Sequence, residues 1–487
     1  MIPLAEREDY KSFSLHPRLD SIGCGFFVFL PGGISVLMNN RISLTAFIVV
    51  AFLTASVFAQ DPNVIGWRTD ARGEYPNAQP PTTWSASSEN IVWKTAMPGK
   101  SWGSPIIVGE RIFVPSDPAE LLCLNAADGK IIWQKTNSAS EVFGEPRAYE
   151  ITTKWTELNE QKKLKQRTFD EFRKAQPDAK DEHARMRGEL EEIERKIDLH
   201  KRKNPVYSDR GSGNSTATPV CDGKNVYAVF GTGIVASYTL DGKLNWIKFI
   251  EGSTIGFGHS SSPLLVDGKL IVHFHDLVAL NAATGEIAWR AELPATHASP
   301  ILFRWKNEDV IVSPAGSVLR AKDGEVLFKD NALRTNECSP IVDKDILYVQ
   351  EGKTSAIKLP ADDAAKGVEI LWQVSASRGR RTPSPVLHRG LLYGATTEGI
   401  LEVTDVESGE IVYRKRLDFD GNLYSSVTAA GDYIFLGCTR GTTLVLKAGR
   451  EFEQVALNKL ENYGSNPIFI GKRMYHRGQQ HLFCIGE

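Results

Sequence analysis

Cysteine is scarce in this chain of 487 residues, and its spacing supports no centre. The six cysteines show no C-x-x-C and no adjacent pair, and the absence of C-x-x-C-H excludes covalent haem attachment. Cys123 and Cys484 lie inside apolar, strand-like runs and read as small buried hydrophobes rather than disulfide partners or metal ligands. An excess of one charge is also missing: 57 Lys+Arg against 59 Asp+Glu leave a net charge of −2, so nothing asks for nucleic acid. No Gly-x-Ser-x-Gly, His-Glu-x-x-His or Asp-x-Asp-x-Asp-Gly pattern occurs, which removes the commonest hydrolase, zincin and EF-hand readings. Gly231-Thr232-Gly233 lacks the third glycine and following helix of a dinucleotide loop.

A long apolar run near the start carries a targeting signature. Arg41 precedes the run 42–58, which ends in Val57-Phe58-Ala59 before Gln60: a charged region, an apolar region and a small-residue cleavage site. The segment reads as a secretory signal peptide, with a single membrane anchor as the alternative. Position 60 is Gln, so the lipid-anchored type of signal is not expected. Residues 1–59 are thus an upstream extension plus signal, with Met38 the expected start, and 60–90 a lead segment. The mature chain is expected to be exported, periplasmic or extracellular, with no stable membrane span.

What is abundant is glycine, 41 residues, and tryptophan, 10 residues, beside only 5 methionines, a turn-rich composition that suits β-structure. A repeat organises them. Ser104-Pro105, Thr218-Pro219, Ser262-Pro263, Ser299-Pro300, Ser339-Pro340 and Ser384-Pro385, then the degenerate Ser426-Val427 and Asn466-Pro467, open eight units. Each continues as an apolar run, a turn, further strands, a glycine turn such as Asp128-Gly129 or Thr284-Gly285, and an aromatic-bearing fourth strand. The aromatics Trp93, Trp133, Trp246, Trp289, Phe328, Trp372 and Tyr413 are separated by 40, 113, 43, 39, 44 and 41 residues. Removing 136–205 from the anomalous interval restores 43.

Four short strands per forty-odd residues predict an all-β chain, an eight-bladed β-propeller of four-stranded blades over 91–487. The last unit supplies only three strands, so Ile91-Val92-Trp93-Lys94 is expected to complete it and close the ring, removing an exposed edge. Within the insertion the period changes to that of a helix: Trp155, Leu158, Lys162, Lys165, Phe169 and Phe172, then Met186, Leu190, Ile193 and Ile197 across Gln176-Pro177-Asp178. This predicts an antiparallel helical hairpin, 150–203, between blades 1 and 2, on the face where blades connect. Its acids and bases nearly balance, which favours a solvated face or a protein partner over a polyanion.

Leu124-Asn125-Ala126-Ala127-Asp128-Gly129-Lys130-Ile131-Ile132-Trp133, with its counterpart from Leu280 to Trp289, resembles the pyrrolo-quinoline quinone (PQQ)-like propeller repeat. Gly66-Trp67-Arg68-Thr69-Asp70-Ala71-Arg72-Gly73 is similar to the opening of secreted, BamB-like bacterial members of that superfamily. The resemblance implies the fold, while function must come from a site. It implies PQQ with Ca²⁺ for a quinoprotein dehydrogenase, whose vicinal disulfide over the cofactor is missing here and whose calcium ligands map to no position of this chain.

In propellers the residues just before the innermost strands line the mouth of the axial channel. Three or four positions before each opening, these are His259, His297, Glu337 and Arg381, with Trp102 and Tyr424 from other blades. Two imidazoles and a carboxylate suit a metal such as zinc; with Arg381 they suit an anionic ligand; a solvated polar funnel is the third reading. The expected function is a non-enzymatic binding or scaffold protein acting on an envelope or extracellular protein or a small ligand through its loop face. The alternative is a PQQ-dependent alcohol or sugar dehydrogenase.

Overall fold

In the computed structural model, which describes residues 63–85, 89–207, 211–361 and 367–486, the repeat becomes eight separate sheets. The blades span 106–136, 220–249, 264–291, 301–329, 341–375, 386–416, 428–459 and 468–486, each an antiparallel meander. The second and third strands carry the core; Ile112, Phe113, Leu122 and Cys123 of blade 1 are fully buried. Outer strands alternate instead, as in Ile131–Thr136, because only one of their faces meets a neighbouring blade. The three-stranded last unit is completed by Ile91–Ala96, paired antiparallel with His481–Gly486. The signal segment lies outside the described residues. Among those described, no helix is long and apolar enough to cross a membrane.

The repeat's tryptophans and turn glycines meet between blades. Trp93, Trp133, Trp246, Trp289 and Trp372 each donate the indole N–H to a carbonyl of the next blade, at 2.8–3.2 Å. Their rings lie on Gly129, Gly242, Gly285, Gly324 and Gly409, all at positive φ, where a Cβ would collide with the indole. A single motif therefore makes both the hairpin turn and the blade-to-blade joint.

The insertion is the expected hairpin, with helices α1 (Glu145–Ala175) and α2 (Lys180–Lys203). Leu158, Phe169, Leu190, Ile193 and Ile197 form its seam, together with Ile151 near the base. At 31 residues, α1 is about 46 Å long. Ion pairs of its distal half, such as Lys165–Glu189 and Arg167–Glu171, stay within the hairpin.

Candidate functional site

Extended chain enters every innermost strand, and side chains of extended chain alternate between two faces. Counting back from the opening Pro (Val427 in blade 7), the first positions are Ser104, Thr218, Ser262, Ser299, Ser339, Ser384, Ser426 and Asn466. The third are Trp102, Thr216, Ser260, His297, Glu337, Thr382, Tyr424 and Gly464. These two rings of eight line one axial well of about 250 Å³, joined by Trp67, Gly211, Ser212, Phe257 and Arg380.

The lower ring closes on itself. The backbone N–H of each member donates to the side-chain oxygen of the next, from Ser104 to Thr218 (3.3 Å), through Ser262, Ser299, Ser339, Ser384 and Ser426, to Asn466, which donates to Ser104 (2.9 Å). Each hydroxyl oxygen is thereby occupied as an acceptor while its O–H remains available to a bound group. The lower ring is a collar of donors.

The upper ring has no such uniformity. Glu337 accepts from Arg380 Nε at 2.6 Å and from the Thr382 hydroxyl at 3.0 Å. This pairing holds the Arg380 guanidinium above its ordinary pKa. Burial pushes the His297 imidazole down, a trend that Glu337 opposes. Trp102 and Tyr424 meet with ring centroids 5.1 Å apart. They reach each other because blade 8 presents Gly464 between them, where a Cβ would stand 2.5 Å from the Trp102 ring. Phe257, 71% exposed with φ 64°, forms the lip, with the Arg380 guanidinium 5.9 Å from its ring centre.

Four of the six residues expected at the channel mouth, Trp102, His297, Glu337 and Tyr424, do line the well. His259 and Arg381 do not. Both occupy the fourth position before the opening Pro, and the alternation that turns the third position inward turns the fourth into the protein. His259 is 3% exposed, with Nε2 against the His273 carbonyl at 3.2 Å, and burial depresses its pKa to about 3. Arg381, 3% exposed, faces the fully buried Glu402 at 3.5 Å. Arg380, two positions before Thr382, takes the place expected for Arg381. The zinc reading fails with His259 gone: among the described residues no group of three or more His, Cys, Asp or Glu is arranged to hold a metal.

The lower ring, Phe257 and Trp67 escaped the sequence reading. The Ser-Pro and Thr-Pro signature marked the ring, and counting parity would have separated inward from outward positions. Trp67 comes from the lead segment, which leaves blades 1 and 2 (Val64 with Ile107, Ile65 with Cys221) and crosses beneath the lower ring to blades 6 and 7. There Arg68 Nη2 donates to the carbonyls of Pro385 and Val427 at 2.7 and 2.8 Å, just past ring members Ser384 and Ser426. Arg68 and Thr69 take positive φ, 52° and 63°, at about 1–3 kcal/mol each, held by those bonds. Burial lowers the Arg68 pKa to about 10, so it remains a cation under the collar.

The hairpin base is fixed beside the well. Arg202 of α2 approaches Glu251 and Asp276 at 3.9 and 3.7 Å, and Arg290 bridges the same two carboxylates at 2.8 Å each. The Gly252 N–H donates to the Arg202 carbonyl at 3.1 Å.

With this geometry established, comparison with known proteins adds relatives. A family model described as "Outer membrane protein assembly factor BamB" matches residues 82–158, 201–313 and 277–485. The assembly factor BamB of Yersinia pestis is 22% identical over 216 residues, 42% of this chain and 53% of the relative. That of Salmonella typhimurium (strain LT2) is 29% identical over 115 residues, 24% of this chain and 28% of the relative. The chain thus matches about half or less of the length of these curated relatives. Among solved structures, BamB from Moraxella catarrhalis superposes with a TM-score of 0.53 at 14% identity, over 82% of this chain and 97% of that one. The quinohemoprotein alcohol dehydrogenase ADHIIG from Pseudomonas putida HK5 does so with 0.53 at 10% identity, over 88% and 80%. Both likenesses are of fold.

Proposed function

We propose that this chain, which belongs to the family of the outer membrane protein assembly factor BamB, is an exported, non-enzymatic scaffold that holds an envelope protein partner on the face carrying the well. The observation that supports this reading is the hairpin: a helical arm whose base is clamped to blade 3 by Arg202, Glu251, Asp276 and Arg290, and whose distal ion pairs, among the described residues, are internal. A propeller needs no arm to fold. An arm anchored rigidly beside a well adds reach and a second grip, which favours a macromolecular partner over diffusing substrate alone. The test shortens the arm by replacing 163–192 with a tight turn, keeping the clamped base, and compares cross-linked partners from envelope fractions. Loss of a partner with the propeller still folded supports arm docking; recovery of the same partners by both proteins sinks it.

The second reading is a quinoprotein oxidoreductase, favoured by the donor collar and by Trp67 and Trp102, which suit a flat, acceptor-rich ring. The residues do not fit its calcium. Ca²⁺ takes six to eight oxygen ligands, usually with several carboxylates, whereas among the described residues the one carboxylate lining the well, Glu337, is held by Arg380. The described cysteines are all free, so no disulfide covers the well. Turnover of alcohols or sugars after reconstitution with PQQ and Ca²⁺, using an artificial electron acceptor, overturns the scaffold reading.

A further inference from the structure

A second cavity, of about 310 Å³, lies between the hairpin base and the loop that follows Gly252. From the arm it is lined by Trp155, Lys162, Glu194 and Asp198, and from the propeller by Ser253 and His259, the histidine that parity removed from the well. We propose that this cavity binds a neutral polyhydroxy ligand, a sugar of one or two rings.

Three observations carry the assignment. First, two side chains on its wall are almost wholly buried and keep a polar atom without a protein partner. His259 faces a carbonyl through Nε2, and since a carbonyl only accepts, Nε2 carries the proton and Nδ1 is left as a lone-pair acceptor. Ser253, 1% exposed, has an Oγ that is likewise unmatched. Such groups are expensive to bury unless something hydrogen-bonds them. Second, the charges on the wall cancel. Lys162 pairs with Glu194 at 2.6 Å, and Asp198 and Lys201 add one charge of each sign, so the described lining has no net charge to offer an ion. Third, the polar groups are of both kinds, acceptors on His259 and the carboxylates, donors on the lysines and Ser253, beside the indole of Trp155. A hydroxyl both donates and accepts, and the C–H face of a sugar ring lies on an aromatic one; ions and simple apolar ligands lack this combination.

The site adjoins the well at Phe257, which lines both, while Trp155, Ser253 and His259 line this cavity and not the well; the inference stands whether or not the arm holds a partner. The experiment is saturation-transfer NMR and calorimetry on the full chain with glucose, galactose, mannose and N-acetylglucosamine as probes. Variants are Asp198→Ala and Ser253→Ala, with Trp102→Ala in the well as the control. The expected result is binding of at least one probe, weakened about tenfold or more by each of the first two changes and unmoved by the third. Ser253→Ala keeps the outcome readable, because removing an unmatched buried hydroxyl leaves unliganded stability equal or higher. Asp198 lies on the exposed side of α2, where substitution spares folding. Failure of all four probes to bind overturns the proposal, and so does binding that Trp102→Ala abolishes or that the two cavity variants leave intact.

Discussion

His259 and His297 occupy neighbouring columns of the same repeat, and their environments are opposite. His297 stands in the third position before its opening Pro, lines the well and faces Glu337. His259 stands in the fourth, turned away from the well and packed against Phe274. Arg380 and Arg381 repeat the contrast: the first reaches Glu337 at the rim, the second is buried against Glu402. In an array of extended segments, parity sorts core from site. A second contrast lies within the inward column. The lower ring is uniform because each member performs the same closure bond, whereas the upper ring, free of that duty, holds Trp, His, Glu and Tyr in different blades. Variation inside an otherwise regular repeat is where recognition chemistry has room.

The adjacent arginines give the hardest test of parity. Arg381→Ala leaves Glu402, itself without exposure, dependent on Arg414 and Ser377. The expected loss is about 3 kcal/mol. Arg380→Ala breaks a pair whose arginine is 44% exposed and is expected to lose at most about 1 kcal/mol. Denaturant midpoints compare the two, and equal losses would break the rule.

Acid sharpens the same contrast through the histidines. The unfolded chain protonates His259 near 6.5, but the folded site resists to about 3. The unfolded state therefore binds more protons below 6.5, so stability is full above that pH and falls by about 1.4 kcal/mol per pH unit below it, until about pH 3. His259→Gln is expected to flatten the stability–pH curve by that slope. His297, lowered by burial but opposed by Glu337, contributes less, and His297→Gln is expected to flatten it less. The reverse order would place His297 in the core.

Fold was legible because it rests on local rules. Glycine turns, fourth-strand aromatics and the change from period 2 to a helical period are each written within a few residues, so the blades, the closing strand and the hairpin follow from them. Trp102, His297, Glu337 and Tyr424 were found by column. His259 and Arg381 were misplaced because two adjacent columns were read as one face. Trp67 and Arg68 lay beyond column reading altogether: their place beneath the collar depends on where a non-repeating segment crosses, and the sequence carries no period for that. The cavity under the hairpin is of the same kind, since it joins the arm to a propeller loop far from it in sequence.

A smaller effect is expected in the lower ring. Ser299→Ala removes the oxygen that accepts the Ser262 N–H at 2.9 Å and leaves that donor buried, a loss of about 1–3 kcal/mol. Ser299→Thr, which copies Thr218 in the equivalent place, should restore most of it. If alanine is neutral, the closure bonds contribute nothing to the ring.

The smallest change in stability is expected from the upper ring, where the scaffold reading predicts the clearest loss of binding. His297→Ala keeps the backbone bonds of that position, its N–H to the Asn336 carbonyl and its carbonyl accepting the Ser260 hydroxyl. Its imidazole is only partly buried, so truncation creates no closed cavity, and the midpoint should move by no more than about 0.5 kcal/mol. Thr382→Ala, which removes one of the donors to Glu337, should behave alike. Both variants should then hold the envelope partner more weakly in the cross-linking assay, while Ser299→Ala, corrected for its folded fraction, holds it as the native chain does. If His297→Ala instead destabilises as much as Ser299→Ala and partner capture follows folding alone, the upper ring is packing like the lower one, and its varied chemistry has no part in recognition.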